Sequence, residues 1–79
     1  MASARKVYHS VATKDGWAIK DGGKVVATHP TQKRNEAAAI KLGRKFEKTG
    51  GLAQAILHKQ NGTIREERTY GRDPRSSRG

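Results

Sequence analysis

The segment from residue 31 to residue 49 constrains the fold most, because it is the one long stretch with helical periodicity. Three consecutive alanines at 37–39 favour helix intrinsically. Thr31 is an acceptable N-cap, and the two glycines at 50–51 can adopt the left-handed conformation that ends many helices. The sequence therefore predicts one helix with both ends marked, against which the other elements must build the core.

On a helical wheel of about 100° per residue, the two sides of this helix differ in chemistry. One side carries small and apolar residues and one amide: Asn35, Ala38, Ala39, Leu42, Gly43 and Phe46. The opposite side carries six cations within an arc of about 120°, here called the cationic stripe: Lys33, Arg34, Lys41, Arg44, Lys45 and Lys48. Like charges at i,i+4 repel by about 0.2–0.5 kcal/mol per pair, so folding alone does not require this stripe.

Alternating apolar and polar residues, β-forming side chains and polar-Gly turns predict three strands before the helix and two after it. These strands span residues 6–13, 17–20, 24–28, 52–58 and 63–68. The first three form an antiparallel meander, which His29-Pro30 ends because proline cannot donate to a ladder. Asn61-Gly62 closes the last two into a hairpin. The predicted fold class is α+β, a βββαββ two-layer sandwich with one helix on one sheet.

The chain is long enough for one small domain, which we place at residues 6–70. Residues 71–79 contain no apolar side chain and are expected to form a disordered basic tail. Tyr8 alternates with its neighbours and is expected on the outer sheet face. The predicted core consists of Val7, Val11, Trp17, Ile19, Val25, Ala39, Leu42, Phe46, Leu52, Ile56 and Ile64.

The composition is strongly basic, with 17 Lys and Arg against seven Asp and Glu, a net charge of +10 and a pI near 10.6. Such an excess attracts polyanions and drives counterion release on binding nucleic acid. Basic charge can also serve solubility alone or attract an acidic protein. An anionic membrane is disfavoured, because the charged face has no exposed apolar face beside it. We therefore expect nucleic acid as the partner and no membrane contact.

The sequence also suggests where the protein works. It has no cysteine, and no run approaches the roughly 20 apolar residues of a membrane span. Residues 1–6 lack the apolar segment of a signal peptide. We expect a cytoplasmic protein. Because a chain of this size builds only a thin core, it should be a monomer of marginal stability or a homodimer.

Catalytic patterns are not found. His9, His29 and His58 occupy separate predicted elements and lack the spacing of a zinc site. All three aspartates, Asp15, Asp21 and Asp73, fall in predicted turns, where Asp is favoured for local hydrogen bonding. Phosphate-binding and nucleophile motifs are absent, and the glycines mark turns. We predict no enzymatic activity, no cofactor and no metal site.

Three segments of the sequence resemble a known family. They are Asp15-Gly16-Trp17-Ala18-Ile19-Lys20 and, after the Ala-rich helix, Gly62-Thr63-Ile64-Arg65-Glu66 and Tyr70-Gly71-Arg72-Asp73-Pro74. In their residues and in their order along the chain, these segments are similar to the small bacterial and phage proteins grouped as domain-of-unknown-function family 2188. The resemblance implies a relationship of fold and no established activity, so it assigns no functional residue.

The leading hypothesis is a small nucleic-acid-binding protein that contacts the phosphate backbone largely without sequence specificity. The predicted contacts are Lys33, Arg34, Lys41, Arg44, Lys45 and Lys48 of the stripe, with Arg72, Arg75 and Arg78 of the tail. Asn35 and Gln54 are too few amides to specify a base sequence. A variant of this hypothesis lays the meander in the major groove.

The alternative hypothesis is a protein-interaction module, for which the resemblance implies a phage or mobile-element origin. In that case a sheet face or a strand edge forms a homodimer or binds an acidic host protein. The charges on residues 63–68 argue against pairing through that edge.

Overall fold

A computed structural model describes residues 5–71 of the chain. Its elements are β1 (Arg5–Thr13), β2 (Gly16–Asp21), β3 (Lys24–His29), α1 (Gln32–Lys48), β4 (Leu52–His58) and β5 (Ile64–Tyr70). The βββαββ order and the α+β class confirm the prediction, and the bounds differ from it by at most two residues. Residues 72–79 of the predicted tail lie outside the described residues.

The five strands form one sheet in the order β3-β2-β1-β4-β5. Strands β1, β2 and β3 pair antiparallel as the predicted meander, and β4 pairs antiparallel with β5 as the predicted hairpin. The two halves join through a parallel pairing of β1 with β4, in which Tyr8 lies opposite Ala55 and Ser10 opposite Leu57. Parallel neighbours need a long crossover connection, and the segment that contains α1 supplies it.

The start of α1 is fixed to the sheet by Asn35, which is fully buried. Its Nδ2 donates to Ser10 Oγ at 2.7 Å and to the Ala18 carbonyl at 2.9 Å, while its Oδ1 accepts from His29 Nδ1 at 2.7 Å. Thr31 caps the helix, since its Oγ1 accepts from the Arg34 amide at 3.2 Å. One side chain thus connects the helix to β1, β2 and the end of β3.

The core lies between α1 and one face of the sheet. Its buried members are Tyr8, Ile19, Ala39, Ala53, Ala55 and Leu57, and the partly buried Ala27, Ala38, Leu42, Phe46 and Tyr70 pack against them. Gly43 lets the helix approach β5, because a Cβ at this position would lie 2.8 Å from Cδ2 of Tyr70. The predicted inner face of the helix is therefore confirmed.

The predicted inner faces of β1 and β4 were wrong. Tyr8, Ala55 and Leu57 face the helix. Because side chains alternate along a strand, Val7, Val11 and the other odd-numbered residues of β1 lie on the opposite face, with the even-numbered residues of β4. Each face of β1 carries both apolar and polar side chains. Alternation therefore separates the two faces but does not show which of them the helix covers. The helix packs on the face that carries the Ser10 hydroxyl, because the buried Asn35 amide needs this hydrogen-bond acceptor and the small helix residues allow a close approach.

Three more residues of the predicted core lie elsewhere. Val25 and Ile64 are each 51% exposed and lie on β3 and β5, the two edge strands of the sheet. Trp17 is half-buried and lies outside the core cluster, beside His29 and Pro30. Among the predicted core residues, Ile19 and Ala39 are fully buried, and Leu42 and Phe46 pack against the core as expected. Ile56 is also buried, at 6% exposure, but on the face away from α1.

Candidate nucleic-acid interface

All six members of the cationic stripe are exposed on the outer surface of α1. The sheet holds the opposite side of the helix, through Asn35 at one end and Leu42 and Phe46 further along. From Lys33 to Lys48 the helix rises about 22 Å at about 1.5 Å per residue. The stripe is thus a rigid row of charge, comparable in length to about six base pairs of B-DNA at about 3.4 Å per base pair.

None of the six stripe cations forms an ion pair with a carboxylate among residues 5–71. The ion pairs of this part of the chain involve three other cations. Lys6 Nζ lies 3.2 Å from Asp21 Oδ2, Arg68 Nε lies 2.7 Å from Glu66 Oε2, and Arg65 pairs with Glu36 and Glu66. The charge of the stripe is therefore not compensated within the described chain.

The two helix glutamates do not neutralise the stripe. Glu36 is turned toward β5, where it accepts from the Arg65 guanidinium, and it also accepts from Gln32 Nε2 at 3.2 Å. The hydrogen bond to Glu36 raises the pKa of Arg65. Glu47 lies next to a hollow at the end of the helix with Arg44 and Lys48. Both acids border the stripe and lie outside its arc.

Between the cations, the helix surface has a shallow hollow with an apolar floor. Ala37 and Ile40 form the floor of a hollow whose rim is Lys41, Arg44, Lys45 and Lys48. A phosphate backbone that lies over this apolar floor is within reach of several cationic side chains at once. This arrangement suits charge contacts to a polyanion and offers no aromatic side chain for base stacking.

The amides considered for base reading lie away from the stripe. Asn35 is fully buried and both ends of its amide are hydrogen-bonded within the fold. Gln54 lies on the sheet face opposite the helix, where its Nε2 is 3.4 Å from Thr69 Oγ1. The three tail arginines of the predicted site, Arg72, Arg75 and Arg78, lie outside the described residues.

Sequence reasoning missed a histidine pair on the uncovered sheet face. His9 Nδ1 lies 3.0 Å from His58 Nε2, and His58 Nδ1 lies 3.0 Å from the Gly62 carbonyl. Because a carbonyl only accepts, His58 Nδ1 carries its proton, and in the neutral pair His9 Nδ1 donates to His58 Nε2. The two residues meet only through the parallel β1–β4 pairing, and no local pattern signals a contact across that distance in sequence.

Burial lowers the pKa of His9 from its ordinary value of 6.5, and the charge of His58 lowers this pKa further. Lys20 is the register neighbour of His9 on β2. The free energy of unfolding is therefore expected to fall as the pH drops through about 6.5. In this range His9 of the unfolded chain binds a proton before His9 of the folded chain does, and this protonation stabilises the unfolded state. The loss is complete below the folded-state pKa of His9.

Urea midpoints at about pH 8 and about pH 5 measure this effect. The control is His9→Gln, which keeps a donor toward His58 but does not titrate. The difference between the two midpoints should be smaller in the variant. An identical difference in both proteins would show that His9 does not contribute to the pH dependence.

Two further properties concern the described residues alone. Within residues 5–71 no three His, Cys, Asp or Glu side chains are grouped so that they could hold a metal ion. In the same part of the chain, α1 is neither long nor apolar enough to cross a membrane.

The fold defines a class of small α+β proteins in which one helix covers one face of a five-stranded sheet. Residues 8–70 match the family model described as "Uncharacterized protein conserved in bacteria (DUF2188)". The chain belongs to this family, as the resemblance of its turn and hairpin segments predicted. No curated protein matches the chain. No solved structure matches it either.

Proposed function

We propose that the protein binds nucleic acid through phosphate contacts of the cationic stripe, largely without reading the base sequence, and has no catalytic role of its own. The observation that carries the proposal is that six exposed cations share one helix face and have no carboxylate partner within residues 5–71. Their mutual repulsion opposes folding, and a polyanion would relieve it.

The lack of sequence specificity is supported by what surrounds the stripe. Its floor is Ala37 and Ile40, and the Asn35 amide, on the opposite side of the helix, is occupied inside the core. Specific reading of bases in the major groove relies on bidentate amide or guanidinium contacts in fixed positions. Flexible, exposed Lys and Arg side chains serve phosphate contacts better, since phosphate contacts set register and carry no sequence information.

The test is the salt dependence of binding to a labelled DNA duplex, followed by fluorescence anisotropy. If the stripe neutralises about four phosphates, the logarithm of the affinity should fall against the logarithm of salt with a slope of about −3 to −4. Affinity should then decrease about 100-fold between about 50 and 200 mM salt. A duplex of scrambled sequence should bind with an affinity changed by less than about tenfold.

Binding that does not respond to salt, or no binding at low salt to duplex or single strand, would contradict the proposal. A strong preference for one sequence would retain nucleic acid as the partner but contradict binding through phosphates alone.

A second candidate function rests on a groove between α1 and β3. Its floor is apolar, formed by Ala27, Ala38 and Leu42, and its rim includes Lys41 and Lys45. At about 240 Å³ it has room for one or two side chains. An acidic protein segment with an apolar anchor would fit this chemistry, and it becomes the better hypothesis if the duplex titration finds no binding.

A further inference from the structure

The face of the sheet that α1 leaves uncovered carries apolar side chains across its width. Val7, Val11 and Ile56 lie on the two central strands, and Ile64 lies on β5. Ile56 is only 6% exposed, whereas Ile64 is 51% exposed. Val7 and Val11 are half-buried, so they and Ile64 leave apolar surface that a partner can cover, on a face whose other side chains are largely polar.

The charges on this face form a self-complementary pattern. Lys20, His9, Ile56 and Glu67 lie opposite one another in register on β2, β1, β4 and β5. Lys20 and Glu67 therefore stand at equal distances, about 7 Å, on the two sides of the seam between β1 and β4. Neither of them forms an ion pair within residues 5–71.

We infer that this uncovered face is the interface of a homodimer. A half-turn about an axis along the β1–β4 seam places Lys20 of one copy over Glu67 of the other, twice, and places His9 over Ile56. The same rotation brings the exposed Ile64 over the small Ala18, because the two lie one register row further along. Such an isologous contact matches opposite charges, and large side chains with small ones.

A second copy fits this face better than a polyanion. The face carries a lysine and a glutamate on one row and lacks the one-sided charge of the helix surface.

The size of the contact sets the expected affinity. Four overlapping strands cover about 19 Å, and six residues along each cover about 20 Å. With side-chain relief, two such faces would bury about 800–1,200 Å² in total, at the low end of specific interfaces. We expect a dimer that dissociates in the micromolar range.

The arrangement also keeps the two cationic stripes apart. The two helices would lie on the outer sides of the dimer, each packed on its own sheet, and the two sheets lie about 10 Å apart. With the helix-to-sheet distance added on each side, the helices are separated by roughly 30 Å, which is about three Debye lengths at 0.1 M salt. Their repulsion would hardly oppose association. If the stripe binds nucleic acid as proposed, the dimer would present two such surfaces facing away from each other.

Sedimentation equilibrium of the full chain without nucleic acid tests the interface independently of the proposed function. The average mass should rise from 8.7 kDa toward twice that value between about 1 and 500 µM protein. Ile64→Asp should weaken the dimer at least about tenfold, as expected for burying an unpaired charge. The matched control is Val26→Asp, which changes a similarly exposed residue on β3 that is not the register partner of Lys20 and lies outside the overlap of the two copies.

A charge exchange tests the direction of the axis. Lys20→Glu and Glu67→Lys should each weaken the dimer, because each places like charges opposite one another twice. The double variant should restore the dissociation constant to within about threefold of the original. A mass of 8.7 kDa at every concentration would overturn the inference. Equal effects of Ile64→Asp and Val26→Asp, or no rescue by the double variant, would also overturn it.

Discussion

The triple substitution of Lys41, Lys45 and Lys48 by glutamate is expected to lower the affinity for a DNA duplex about 100-fold to 1,000-fold near 0.1 M salt. Each phosphate neutralised contributes about 0.9 logarithmic units per decade of salt, so three lost contacts correspond to about 2.7 units at 0.1 M. Anisotropy titrations at several salt concentrations measure both the affinity and its slope. The slope should rise to between about −1 and zero.

A matched control separates the stripe from the overall charge. Substituting Lys14, Lys24 and Lys59 by glutamate also changes the charge by −2 at each of three positions, from +10 to +4. These lysines are exposed in or beside turns at the ends of the sheet. The control should lose less than about tenfold in affinity, through the long-range field alone. Equal losses in the two triple variants would contradict a site on the helix.

Folding of the stripe variant must be verified by circular dichroism. Lys45 and Lys48 lie in the last turn of α1, where a cation is favoured by the helix dipole, so each exchange to glutamate could cost up to about 1 kcal/mol. The corresponding substitutions by glutamine avoid the added negative charge. They should still reduce the affinity by about 2.7 logarithmic units, because the same three phosphate contacts are lost.

Asn35→Ala is expected to destabilise the fold by about 3–5 kcal/mol, which would leave much of a domain of this size unfolded. The substitution removes the partner of Ser10 Oγ, of the Ala18 carbonyl and of His29 Nδ1. It also leaves a cavity under the helix. Urea unfolding followed by circular dichroism measures the loss.

Gln54→Ala is the control for removing an amide. Its hydrogen bond to Thr69 is 3.4 Å long and exposed, so the change should stay within about 0.5 kcal/mol. Ser10→Ala should lose about 1 kcal/mol, since the Asn35 amide retains the Ala18 carbonyl as an acceptor. An effect of Asn35→Ala no larger than that of Gln54→Ala would show that the buried network does not hold the helix to the sheet.

Local sequence signals predicted the elements well, because each signal acts within a few residues. Thr31 caps the helix through a contact three residues away, and Gly62 takes a positive φ of 96° in the hairpin turn. The helix sides followed from a period that one segment contains completely. The same reasoning assigned the six stripe cations to the exposed side of α1.

Long-range relations could not be predicted in the same way. Alternation in β1 identified two faces, but Tyr8 lies against the helix and Val7 does not, because the helix can cover only one face and Asn35 needs a buried hydroxyl partner. The contact between His9 and His58 depends on the parallel register of β1 and β4. No local pattern encodes a register between strands that a helix separates.

The sequence by itself determined the order and type of the elements, the two sides of α1 and the excess of positive charge, since these depend on local periodicity and on composition. Only the tertiary structure decided which face of the sheet is covered, that β1 and β4 pair in the middle, and that Lys20 and Glu67 share one row. These features arise when distant segments pack against each other. Their energies depend on shape and hydrogen-bond partners that no single segment contains.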